Sequence, residues 1–259
     1  MAALDPSKYN PDRSFPAKIK RRLTQWRVAK PLSATPKQAV VTFTFDDFPK
    51  SAASYGADAL AAIDAVGTYY ACSGMMGARN LTGDLYTEDD VSTLVEAGHE
   101  IGAHTDSHLD CARVRTELVR SEINDNLRAL DALDNKASIR NFAWPYGETH
   151  FAAKRGITDL VASARGILPG INRRGADLMQ LRAYELSPED WTTKRATAAI
   201  EAAAKTTGWV IIFTHDVRPS PSLYGTTPEA LGNLTRLARD SGAQVISIAG
   251  ALAQIQGAS

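Results

Sequence analysis

The chain has 259 residues, 44% of them hydrophobic, with 29 basic and 29 acidic side chains and a formal net charge of zero. That length suits one α/β barrel or one large α/β domain with a sizeable core. The balanced charge argues against a dedicated nucleic-acid binder, though not against a locally charged cleft. Two cysteines, Cys72 and Cys111, are too few for a disulfide framework, and Cys72 reads as a small core residue. No apolar run approaches the ~20 residues of a membrane span. The N-terminus lacks a charged region followed by an apolar one, so the expected location is cytoplasmic.

In chain order, residues 1–37 are polar and rich in Pro, Lys and Arg; they read as an N-terminal arm ahead of a single domain at 38–259. The arm predicts at most a short helix near 17–27. Its close-set Lys18, Lys20, Arg21, Arg22 and Arg27 suit a solvated segment, or contact with a partner or an anionic surface. From Gln38 onward strands and helices alternate. Predicted strands cover 40–45, 68–72, 100–103, 139–144, 160–164, 180–186, 209–214 and 244–248. Predicted helices cover 55–66, 87–97, 114–133, 150–155, 192–206 and 227–241. Thr87 and Thr227 stand where helices start, each followed by acids in the first turn. Gly67, Gly98, Gly208 and Gly242 stand where helices give way to strands. This alternation predicts an α/β fold, a distorted (β/α) barrel of seven to eight mainly parallel strands.

Four stretches at predicted strand ends carry candidate chemistry. The first is Thr42-Phe43-Thr44-Phe45-Asp46-Asp47, in which an apolar, β-branched run delivers two adjacent acids. Adjacent buried acids repel, so a cation beside one would leave the other free as a base; a solvated strand-to-loop turn is the alternative. The second is His104-Thr105-Asp106-Ser107-His108. Histidines four apart share a face if the segment turns helically, and two imidazoles with one carboxylate make a facial set suited to zinc or another divalent transition metal. Polar loop or helix-capping histidines would show the same spacing. The third is Phe142-Ala143-Trp144-Pro145-Tyr146-Gly147, a turn able to aim a backbone N–H at an oxyanion, or an ordinary β-to-α turn. The fourth is Val210-Ile211-Ile212-Phe213-Thr214-His215-Asp216, where a buried strand ends in one histidine. That histidine is either a satisfied core residue or a proton donor. His99 and His150 read as structural.

Together these stretches resemble the polysaccharide deacetylase family, the NodB-homology class or carbohydrate esterase family 4, over 40–252. The resemblance implies metal-dependent removal of N-acetyl groups from N-acetylglucosamine polymers, or of O-acetyl groups from xylan in some members. It assigns Asp46 as general base; Asp47, His104 and His108 as metal ligands; Tyr146 as oxyanion donor; and His215 as general acid. Pro145, Phe213 and Trp144 would contact substrate. Where many members carry an Arg that orients the base, this chain has Ala143; Arg182 is the candidate replacement. The family's fourth motif is unclear, with Asp190-Trp191 a candidate by composition. The implied cofactor is zinc, with cobalt, manganese or nickel as alternatives. The implied partner is an N-acetylated polysaccharide or oligosaccharide, as in bacterial exopolysaccharide or holdfast-type adhesin pathways, with a homodimer as the default assembly. An O-acetyl esterase, a small-amide amidase and a non-catalytic sugar-binding barrel are the competing readings.

Overall fold

A computed structural model describes residues 14–133 and 139–257; the first thirteen residues of the arm lie outside the described residues. Helix α1 (Phe15–Trp26) comes first, and β1 (Val40–Phe45) opens the sheet. A π-helical turn at Ala52–Gly56 runs into α2 (Ala57–Ala61), then β2 (Thr68–Ala71). A short hairpin follows, β3 (Arg79–Asn80) and β4 (Gly83–Asp84), then α3 (Glu88–Glu96) and β5 (Glu100–Ala103). Next come α4 (Thr116–Leu133), β6 (Asn141–Ala143), α5 (Phe151–Gly156) and β7 (Ser163–Arg165). The chain ends with β8 (Tyr184–Glu185), α6 (Asp190–Thr206), β9 (Trp209–Thr214), α7 (Pro228–Asp240), β10 (Gln244–Val245) and α8 (Ile248–Gln256).

The main sheet runs β7-β6-β5-β2-β1-β9-β8, with β10 also paired to the start of β1, and every pairing in it is parallel. β1 and β9 form its spine, in register from Val40↔Trp209 to Phe45↔Thr214. All six residues of each are buried, so both read as near-continuous apolar runs, as strands covered on both faces do. The sheet curls until its edges approach: Leu181, just before β8, bridges Arg165 at the end of β7. The distorted barrel is therefore closed at a seam of a few bonds, Leu181 N–H to Ala164 O at 2.9 Å and Gly166 N–H to Leu181 O at 2.9 Å.

Several elements differ from their sequence expectation. The strand expected at 160–164 forms later, at Ser163–Arg165, after a turn at the end of α5. The strand expected at 180–186 is a 3-10 turn (Leu178–Gln180) and then two paired residues. The helix expected at 55–66 starts earlier and stops at Ala61. After β10 the chain turns helical instead of extending, because buried Ile248, Ala251, Leu252 and Ile255 recur at helical spacing and the Ser247 side chain accepts the Gly250 N–H. Thr87 and Asp90 form a capping box on α3, and Thr227 caps α7.

The described part of the arm is tied to the domain. Lys154 on α5 is fully buried. Its Nζ donates to Thr24 O (2.7 Å), Arg27 O (2.8 Å) and Gln180 Oε1 (3.1 Å), and pairs with Asp177 Oδ2 at 2.7 Å. Asp177 Oδ1 in turn accepts the N–H groups of Ala29 (3.2 Å) and Lys30 (3.1 Å), and Leu32 lies in the core. Removing the ammonium strands a buried carboxylate. Lys154→Ala is expected to cost about 3–5 kcal/mol of unfolding free energy, measured by urea denaturation followed by circular dichroism. A loss below about 1 kcal/mol would show the node to be dispensable.

Candidate active site

β1 ends in Asp46 and Asp47, and the chain turns there because Asp47 and Phe48 take left-handed conformations, φ 57° and 53°. Asp46 N–H donates to Thr214 O at 2.9 Å, so the first acid stays in the ladder beside the end of β9. Phe48 anchors the turn from below, stacked on Tyr86 at 4.7 Å and tilted against Tyr69 at 5.3 Å.

The stretch 104–108 is not helical. Thr105 and His108 have φ 63° and 57°, and the two imidazoles converge through a left-handed loop instead of a helix face. Helix α4 staples that loop from behind. Asn126 Oδ1 accepts the His104 N–H (2.9 Å), and Glu122 accepts from Ser107 N–H (2.9 Å) and Oγ (3.0 Å). The rings of His104 and His108 lie edge-to-face with centroids 5.0 Å apart.

Asp47, His104 and His108 form a compact, buried ligand set. The Nε2 atoms of His104 and His108 lie 3.7 Å and 3.3 Å from Asp47 Oδ1. His104 Nδ1 is 2.8 Å from Ala143 O, which only accepts, so the proton is on Nδ1 and the Nε2 lone pair faces the carboxylate. Burial, with His108 beside it, lowers the pKa of His104 to about 4 and keeps the ring neutral. Burial alone would raise the Asp47 carboxyl, but His108, His215, His104 and the Asn80 hydrogen bond outweigh it and hold it below the usual range. Asp47 Oδ1 has no hydrogen-bond partner. Lone pairs aimed at one another across 3–4 Å in a buried site need a cation between them, so these residues fit a divalent metal.

Asp46 is held differently. Arg165, fully buried at the end of β7, donates from Nη2 to Asp46 Oδ1 and from Nη1 to Gly166 O at 3.1 Å. Its guanidinium lies 4.8 Å from the Phe213 ring centre and 5.3 Å from that of Tyr70. Arg165 is the ladder partner of Ala143. The cation expected at 143 therefore comes from the adjacent strand at the same level. Arg182 does not take that place; its side chain is exposed and donates to Pro169 O at 3.1 Å.

A cleft of about 220 Å³ opens over these groups, its wall completed by Tyr146, Glu185, Phe213, His215 and Tyr224. His215 Nδ1 sits 3.3 Å from Tyr224 O, which leaves Nε2 for the cleft side. Tyr146 takes φ 59° and sets its ring edge-to-face on His108, centroids 4.5 Å apart. Gly147 follows with φ 66°, and a Cβ there would fall 2.2 Å from Ile167 Cγ1. Trp144 and Pro145 do not line the cleft. Both are buried, and Trp144 turns inward, donating Nε1–H to Met179 O at 2.9 Å and packing on Phe142. Asp190 is exposed at the start of α6, away from His215. Besides Asp46 and Asp47, the cleft that His215 lines holds a third acid, Glu185, whose pKa burial raises against the opposing effect of His215. Sequence reading missed Arg165, Glu185, Asn80 and Tyr224. His99 and His150 are structural: His99 Nδ1 accepts the Gly67 N–H at 3.0 Å, and His150 caps α5.

The fold and the cluster define a NodB-type α/β barrel with a buried carboxylate–imidazole cluster that could hold a metal ion. Residues 33–161 match the family described as polysaccharide deacetylase, and the chain belongs to that family, a class of hydrolytic carbohydrate deacetylases. Solved structures with the same fold include a family 4 acetyl xylan esterase from Clostridium thermocellum in complex with a cobalt ion. It is 22% identical, with TM-score 0.56, covering 84% of this chain and 92% of that one. Peptidoglycan deacetylase PdaC from Bacillus subtilis is 18% identical with TM-score 0.54, covering 86% and 94%. A carbohydrate esterase family 4 pseudoenzyme from Bacillus anthracis is 16% identical with TM-score 0.54, covering 84% and 66%.

Asn80 orients Asp47 from the β3–β4 hairpin. Its Oδ1 accepts Thr82 N–H (2.8 Å) and Oγ–H (2.6 Å), which fixes the amide, so Nδ2 donates to Asp47 Oδ2 at 3.3 Å. Partners of this kind set a ligand's direction. Asn80→Ala is expected to weaken binding of zinc or cobalt about 10–100-fold in calorimetric titration. Unchanged affinity would remove Asn80 from the metal site.

Proposed function

We propose that this chain is a metal-dependent hydrolase that removes N-acetyl groups from an N-acetylglucosamine-containing polysaccharide or its precursor, releasing acetate. The observation that supports it best is the coexistence, in one cleft, of the Asp47–His104–His108 set with a tethered acid, Asp46, and a separate histidine, His215. A barrel that only bound sugar would have no use for an acid and a base poised around the ligand set. Zinc is the proposed metal, with cobalt, manganese and nickel as alternatives. Asp47, His104 and His108 would hold it. When bound, it supplies a Lewis acid that polarises the acetyl carbonyl and acidifies water.

The chain's own residues supply the rest. Arg165 holds the Asp46 carboxylate beside the ligand set, and Asp46 takes a proton from the attacking water. The Tyr146 backbone N–H donates to the oxygen that gains charge, a contact of the kind that contributes about 3–4 kcal/mol. Phe213 offers an apolar wall for the acetyl methyl. His215 gives its proton to the departing nitrogen, and Glu185 lines the same cleft. An amine leaves poorly unless protonated, so a proton donor is required for an amide more than for an ester. Action on an exopolysaccharide before export, in the cytoplasm, is the setting this reading favours.

The test is acetate release from chitooligosaccharides with each metal in turn, set against acetylated xylan. Metal-dependent release from the amide substrate, abolished by a chelator, is expected. His215→Ala is expected to lower turnover about 10²–10⁴-fold with little change in KM. Release from xylan alone would make the chain an O-acetyl esterase, and sugar binding without release under every metal would make it a binding protein.

Arg165→Met is expected to lower turnover by roughly 10²-fold while metal content stays stoichiometric. Arg165→Lys, which keeps the charge but loses the fork and the ring stacking, should recover only part of that loss. Full activity in both variants would show that Asp46 needs no tether.

A further inference from the structure

Helix α1 is amphipathic in an unusual sense: its apolar face is largely exposed, along an open groove whose other side is His150, Phe151 and Ala152 at the start of α5. Phe15, Ile19, Leu23 and Trp26 are 76%, 45%, 52% and 71% exposed. At 3.6 residues per turn these four fall within an arc of about 80°. The opposite face is the docked one, where Thr24 is buried and Arg21 pairs with Glu148 at 2.8 Å. Lys18 and Arg22 flank the apolar stripe on one side, and Lys20 and Arg27 on the other. Between residues 14 and 30 there are six basic side chains and no acidic one, in a chain whose net charge is zero. A stripe of this kind exposed to water is costly, and single apolar residues scattered on a surface do not produce it.

We propose that α1 is a membrane-docking helix that lies in the headgroup layer of an anionic bilayer. The apolar stripe would enter the acyl boundary with Trp26 at the interface level, and the flanking Lys and Arg would meet lipid phosphates. Charge favours this occupant over a second copy of the chain, because two such helices face to face would bring their basic flanks together. Helix α1 has 12 residues, and no described helix is long and apolar enough to cross a membrane, so α1 lies on the bilayer. The dock sits close to the cleft: Glu148, the partner of Arg21, directly follows Gly147 in the cleft wall. A docked enzyme would hold its cleft beside the surface where a lipid-linked sugar chain is presented. The docking itself is independent of the proposed chemistry.

The experiment is flotation of the full chain with vesicles of phosphatidylcholine alone and of phosphatidylcholine mixed with phosphatidylglycerol. Roughly tenfold or greater enrichment on the anionic vesicles is expected, weakening as salt is raised. Leu23→Glu, and separately the Lys18→Gln/Arg22→Gln pair, should each reduce that binding about tenfold while zinc binding is retained, which shows that the domain is folded. A blue shift of tryptophan emission on vesicles should vanish in Trp26→Phe. Equal weak binding to both vesicle types, or unchanged binding in Leu23→Glu, would overturn the proposal. A dimer by light scattering that Leu23→Glu splits, without vesicle binding, would assign the stripe to a second copy and also overturn it.

Discussion

Two neighbouring carboxylates buried at the end of one strand can coexist only if each has its own positive charge. Asp46 and Asp47 are both buried. Desolvation and mutual repulsion would otherwise drive one of them neutral. The fold gives Asp46 a permanent cation, Arg165, sandwiched near two rings where it cannot be shed. Asp47 instead faces the ring nitrogens of His104 and His108 across 3–4 Å, and buried, neutral His104 offers it an electron pair and no charge. The asymmetry sorts the roles. The acid with a built-in cation is complete as the chain folds, and the acid facing lone pairs is complete only with an added one.

The sequence revealed the groups that sit at strand ends and hid those set by pairing between strands. Asp46, Asp47, His104, His108 and His215 each follow an apolar run, and a local pattern suffices to place them near the C-terminal rim. Arg165 follows an apolar run too, but its role depends on β7 pairing with β6 so that it stands level with Ala143. That register is a non-local fact, and ending the predicted strand one residue early, at 164, hid it. Arg182 falls within the strand predicted at 180–186, but only Tyr184–Glu185 pair there, so it lies outside the strand that forms and is exposed. Trp144 and Pro145 failed for a related reason. Their motif fixes a turn, and a turn's sequence does not say which of its side chains face the core.

The barrel itself was legible for the same reason as the rim residues. Parallel strands covered on both faces announce themselves as apolar runs, and β1 and β9 are such runs. Two-residue pieces such as β3, β4, β8 and β10 carry too little pattern to be read, yet β3 orients Asp47 and β8 brings Glu185 into the cleft. The finer placement of the site thus depends on the elements with the least local signal.

Backbone conformation points to the same rim. Of the seven non-glycine residues with positive φ among the described residues, five are Asp47, Phe48, Thr105, His108 and Tyr146, all in loops that build the cleft or its floor. Each costs on the order of 1–3 kcal/mol, against a net stability of about 5–15 kcal/mol for a domain. Such strain persists only where surrounding bonds over-determine it. Here α4 pins the histidine loop through Glu122 and Asn126, and the Phe48–Tyr86–Tyr69 cluster pins the aspartate turn. Relaxing any of these loops to an ordinary conformation would swing a ligand or a cleft wall away from the common point. The strain is the energetic cost of convergence, and the helices and rings behind the loops keep that geometry fixed before any cation or substrate arrives.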